Sequence, residues 1–195
     1  EESNQFKWTY DNKSPTILIV SPDVSNGSKT NDSSIELQFN ISEDTNYFTK
    51  EDITVTNGTI TNFSSVNSSQ KTYKATFTPI GDGLCTIQVY AETFTDLQGV
   101  YNIASSVFKW TSDRTSPTMT ISSSTVNYGD ITSDNCIDLI FSSSEPTNNF
   151  SPTINIVGDY TGGLSNITSS NNNTVFNAKF CPNGDGLYTF TVNSG

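Results

Sequence analysis

Histidine does not occur in this chain. Its absence removes the usual general base, the Ser-His-Asp arrangement and most zinc sites. What remains with chemistry in it is twenty Asp and Glu, three cysteines and many asparagines. Glu43 and Asp44 are a carboxylate pair, but neighbours on an extended backbone point to opposite sides and cannot converge on one substrate bond. No glycine-rich phosphate loop opens a helix. An enzyme is therefore not expected. Asp11, Glu43, Asp96, Asp113 and Glu145 sit in loop-like stretches, where carboxylate oxygens suit a hard cation, so calcium is the one cofactor to test; the competing reading is of solvated loop acids. Asp82 and Asp185, each within Gly-Asp-Gly, read as turn residues.

The asparagines fall into the acceptor pattern Asn-x-Ser/Thr at Asn12, Asn26, Asn31, Asn40, Asn57, Asn62, Asn67, Asn149, Asn166 and Asn172. A chain rich in Asn, Ser and Thr generates such triplets by chance. Placement argues for use: in "IELQFNIS" the residues Ile35, Leu37, Phe39 and Ile41 share one face, which turns Asn40 to solvent. Asn12 is the weakest acceptor because Pro15 follows its triplet. Used sites imply a glycoprotein that has passed through a secretory route.

Hydrophobic residues make up 33% of the chain and charged ones 15%, a balance found in extracellular β-proteins. The formal charge of −11 repels phosphate backbones and anionic lipid, so neither nucleic acid nor membrane is an expected partner. No run approaches the roughly 18 apolar residues of a transmembrane helix and no leader is visible, so the chain reads as soluble.

The elements that position these residues come in two copies. Trp8 aligns with Trp110 at an offset of 102, which also carries "TNDSSIELQFNISE" onto "TSDNCIDLIFSSSE"; "YKATFTPIGDGLCTIQVY" repeats as "FNAKFCPNGDGLYTFTVN" at an offset of 103. In the first copy "TILIV", "IELQFNIS", "DITVTN", "TYKATFTP", "LCTIQVY" and "NIASSVFKW" read as strands, with a polar stretch around "NGTITNFSSVNSSQ" and a breaker-rich loop at "SPDVSNGSKTNDSS". With the polar stretch counted as the fourth, seven short strands in about 100 residues indicate an all-β immunoglobulin-like sandwich. The expected organisation is residues 1–13 as an N-terminal strand and linker, 14–112 as the first sandwich and 113–195 as the second.

The motifs "FKWTSDRTSPT" between copies, "FNISEDTNYFTKEDITVTNGT" and "ATFTPIGDGLCTIQV" resemble the bacterial Ig-like repeats that occur in tandem in large surface adhesins. The resemblance covers nearly the whole chain, twice. It implies a cell-surface or stalk role, and calcium held at the poles of some such repeats.

By the same offset, Gly195 corresponds to Glu92, so the second copy lacks a counterpart of "TFTDLQGVYNIASSVFKW", while residues 1–8 align with 103–110. Phe6 and Trp8 are spaced to enter a core, with Lys7 pointing out. The expectation is strand donation between identical subunits: Phe6 and Trp8 of one copy anchor the missing strand of the next, giving an extracellular head-to-tail filament. A segment of a longer adhesin stalk would have the same ends, and the residues leave that alternative open.

Cys136 is equivalent to Ser34 and Cys181 to Thr78, one at the start of the second strand and one at the end of the fifth; these strands neighbour one another in this fold, which predicts a Cys136–Cys181 disulfide. Cys85 alternates in phase with Ile87 and Val89 and reads as a small buried hydrophobe.

Overall fold

The computed structural model describes residues 3–45, 47–66, 70–148, 150 and 162–192. The chain divides into two compact units, Glu1–Thr115 and Ser116–Gly195. Both are all-β.

In the first unit, two sheets enclose one core. One sheet contains β1 (Ile17–Val20), β3 (Ile35–Ile41), β6 (Thr72–Pro79) and β5 (Gly58–Ser65), in the order β1-β3-β6-β5. The other has the order β2-β8-β7-β4, from β2 (Lys29–Thr30), β8 (Phe108–Ser112), β7 (Gly83–Val89) and β4 (Ile53–Thr56). Strict alternation builds this core: β3 buries Ile35, Leu37, Phe39 and Ile41 while Glu36 and Gln38 face water, and β6 faces it with Tyr73, Ala75 and Phe77. Phe48 packs against Phe39, Tyr73 and Phe94 with ring centroids 5.1–5.8 Å apart, closing one end of the sandwich.

Three elements are sharper than the sequence reading or depart from it. The polar stretch is a full eight-residue strand, β5, paired with β6 through a bulge between Thr61 and Ser64. Asn62 sits in this bulge with φ +54, and the shifted register hides the alternation a strand should show. The breaker-rich loop contains the short β2, which pairs parallel with β8. "NIASSVFKW" is a strand only over its last residues; before β8 the backbone is tied by single bonds, such as Ser105 N–H to Val89 O at 2.9 Å.

The second unit repeats the first sheet with β9 (Met119–Ser123), β10 (Ile137–Ser143), β12 (Val175–Pro182) and β11 (Gly162–Ser170), in the order β11-β12-β10-β9. Registers match: Ile17 faces Ile41 as Met119 faces Ser143, and Ile35 faces Phe77 as Ile137 faces Phe180. The β11 bulge, between Ser165 and Thr168, carries Asn166 at φ +52 as its counterpart carries Asn62. Among the described residues no second sheet forms in this unit.

Candidate functional site

Two features of the first unit carry chemistry or recognition: its closing strand and one acidic pole. The closing strand is β8. Phe108 and Trp110 are 7% and 1% exposed, Lys109 points to solvent, and the Trp110 ring meets Phe77 edge-on at 4.7 Å. On one side β8 pairs antiparallel with β7, Cys85 opposite Trp110 and Ile87 opposite Phe108. On the other side the Gly27 N–H donates to Lys109 O at 2.7 Å and the Thr111 N–H to Ser28 O at 2.8 Å. Gly27 makes its bond from φ +88, a conformation glycine adopts without strain. Past β8 the chain is clamped again: the Asp82 carboxylate accepts the Arg114 N–H at 2.7 Å, the Thr115 N–H at 3.1 Å and the Thr115 hydroxyl. Asp82 is thus an anchor for the linker as well as a turn residue.

The N-terminal segment carries the same Phe-Lys-Trp-Thr at residues 6–9 in the opposite state. It belongs to no strand, and Phe6 and Trp8 are 89% and 73% exposed.

The acidic pole lies where the chain enters β1. The Ser42 N–H donates to Thr16 O at 3.0 Å and the Ile103 N–H to Pro15 O at 3.1 Å, drawing the N-terminal segment, the end of β3 and the β7–β8 loop together. That convergence brings Asp11, Glu43 and Asp96 into one group, with one carboxylate oxygen of each within 4.8 Å of the others. Asp113 is not part of it: this carboxylate forms an ion pair with Lys29. Glu145 lies in the second unit, where its N–H contacts the Ser143 hydroxyl, and among the described residues it joins no such acidic group.

A profile described as a bacterial Ig-like domain matches residues 11–110, from the acidic pole to the closing strand. The chain belongs to the bacterial Ig-like family. No curated protein matches it. Membership of this family points to a surface or structural role. Among the described residues no helix is long and apolar enough to cross a membrane.

The Ig-like units separate the acceptor asparagines by surroundings. Asn12, Asn26, Asn31, Asn62, Asn166 and Asn172 are exposed, and Asn40 is half-buried on the outer face of β3, its Oδ1 accepting from Gln38. Asn57 differs, because its Nδ2, the atom a glycan would occupy, donates to Gly81 O at 3.0 Å. Asn67 and Asn149 lie outside the described residues.

The Cys136–Cys181 disulfide is present, joining the residue before β10 to β12 across 45 positions. Closing a loop of that length is worth about 3–4 kcal/mol in the chain-entropy description. Cys85 is buried in the first Ig-like unit, and desolvation pushes its thiol pKa up, so it packs as a hydrophobe and is poor as a nucleophile.

Proposed function

We propose that this chain is a structural subunit of an extracellular fibre, in which residues 6–10 of one copy enter the second Ig-like unit of the next as its closing strand. One sequence in two environments supports the reading. As β8, Phe-Lys-Trp-Thr buries both rings; as residues 6–9 it leaves them in water. The second unit has the complementary deficit. Cys85, Ile87 and Val89 are completely buried beneath their neighbours in the first unit, whereas their counterparts Tyr188, Phe190 and Val192 are half-buried and only Val192 makes a bridge.

Carried across by the repeat offsets, the β7–β8 register would set Trp8 opposite Tyr188 and Phe6 opposite Phe190, with Trp8 over Phe180 as Trp110 lies over Phe77. Gly129 holds φ +85, matching Gly27, so its N–H would be available to Lys7 O of the incoming strand. Asp185 would accept the N–H groups of Asn12 and Lys13, as Asp82 accepts those of Arg114 and Thr115. Such a contact is heterologous and repeats head-to-tail. Removing a buried Phe or Trp from a core costs about 3–5 kcal/mol, so the two rings would dominate it.

The linker favours a second reading. "TYDNKSPT" after Trp8 matches "TSDRTSPT" after Trp110, and the latter joins two units of one polypeptide, as every junction would in a long adhesin stalk. Sedimentation and negative-stain imaging over a range of concentrations separate the two. The fibre reading expects polymers from the unaltered chain and monomers from Phe6→Asp/Trp8→Asp. An unaltered chain that stays monomeric at every concentration discards the fibre and leaves the stalk. On either reading the role is structural and the location is the cell surface.

A further inference from the structure

We infer that Tyr188 and Phe190 gate the strand site of the second unit: they lie on Phe180 until Phe6 and Trp8 of another copy displace them. The inference rests on the strand-donation reading and names the step that regulates it. In the first unit the ring of Phe77 is covered from the closing strand, with Trp110 edge-on at 4.7 Å. The neighbouring β7 brings no ring to the facing positions, only Cys85 opposite Trp110 and Ile87 opposite Phe108. At the equivalent positions the second unit carries Tyr188 and Phe190. Their ring centroids lie 5.2 and 4.9 Å from that of Phe180, and Phe190 meets it edge-on as Trp110 meets Phe77. Under these rings Phe180 is 1% exposed.

The two arrangements exclude one another. Around this face the strands are otherwise alike: Ile35, Leu37 and Ala75 recur as Ile137, Leu139 and Ala178 in the same pairing. Phe6 and Trp8 are the same side chains as Phe108 and Trp110. The incoming rings therefore gain no space, while Tyr188 and Phe190 exceed Cys85 and Ile87 in volume. Overfilling a close-packed core forces side chains off their rotamers and destabilises it. The resident rings have to leave.

They are held lightly enough to do so. Both are half-buried, and residues 187–191 belong to no strand. The Tyr188 hydroxyl donates to Gly184 O at 2.8 Å, a neutral hydrogen bond of the kind whose net contribution is small because water replaces it. Before assembly the gate keeps Phe180 out of water. It also selects what may enter, because a strand without rings would uncover Phe180 and leave it uncovered, whereas the Phe-x-Trp pair restores the apolar contact that it removes.

Chains carrying Phe6→Asp/Trp8→Asp, with and without Tyr188→Cys/Phe190→Ile, serve as acceptors for a peptide of residues 3–13 in stopped-flow fluorescence. With the resident rings the observed rate should level off as peptide concentration rises, because opening becomes limiting. With the first unit's residues in their place it should stay linear and, at low peptide, be about tenfold faster, the ratio for an open form near a tenth of the population. Without peptide, the second unit of that variant should melt lower. The acceptor that keeps both rings gives a readout that needs no altered core: nuclear Overhauser contacts between Phe180 and Tyr188 should be present without peptide and give way to contacts between Phe180 and Trp8 with it. Equal, linear rates for both chains, or Phe180–Tyr188 contacts that persist in the complex, would overturn the gate and leave strand donation standing. A peptide that binds neither chain would overturn strand donation, and the gate with it.

Discussion

At the scale of the residue, Gly58 shows how close the β5–β6 contact is. A Cβ at this position would run into the ring of Phe77, itself fully buried against Trp110. Gly58→Ala should therefore displace Phe77 and destabilise the first unit by about 1–3 kcal/mol, the usual cost of overpacking. Gly81→Ala, where an added Cβ meets nothing, is the control and should leave the melting temperature of that unit unchanged. Thermal unfolding followed by near-ultraviolet circular dichroism decides between them. No feature of the sequence around Gly58 announces this constraint, since glycine after Asn57 reads as a turn signal. Cys85, by contrast, was legible from its phase with Ile87 and Val89, because alternation on one strand is a local property. Asp11, Glu43 and Asp96 were legible as acids in loops. That they gather near the module junctions was legible too; which of the five acids meet was not, because that depends on three backbone segments converging at one pole.

At the scale of the element, the alternating strands β1, β3, β4, β6 and β7 could be read directly, whereas β5 could not: its bulge at Asn62 moves the inward face by one residue. The two-residue β2 is held by β8, a partner far along the chain, and no local pattern encodes it. The linker after β8 depends on Asp82 in a way that titration should expose. The Thr115 hydroxyl, then the Arg114 N–H, hold the Asp82 carboxyl below its ordinary value, so the charged form is the one the folded linker favours. The anchoring is therefore fully present above the ordinary carboxylate pKa of about 3.9 and is lost as pH falls through the depressed value. Amide resonances of Arg114 and Thr115 should hold steady down to that range and then shift together, and Asp82→Asn should remove the step. A midpoint at or above the ordinary value would contradict the clamp.

At the scale of the whole molecule, the proposed fibre rests on a strand that is stable only in company. In the first unit β8 is bordered by both β7 and β2, and its rings complete a core of nineteen buried residues; among the described residues of the second unit five are buried to that degree. If the second unit lacks only the equivalent of β8, a free peptide of residues 3–13 should restore it. Added to the full chain carrying Phe6→Asp/Trp8→Asp, whose own segment cannot compete, the peptide should bind one to one. Its Trp8 fluorescence should shift to the blue as the ring leaves water for the neighbourhood of Phe180. At a peptide concentration of 100 times its Kd, mass action adds about 2.7 kcal/mol to the unfolding free energy of the second unit. A peptide carrying both Asp substitutions should do neither, since the backbone ladder alone contributes register with little net affinity. The first unit, already closed by its own β8, should keep its melting temperature throughout. Stabilisation of the first unit, or blue-shifted binding by the doubly substituted peptide, would mean that the rings are not the anchors and that the segment docks elsewhere.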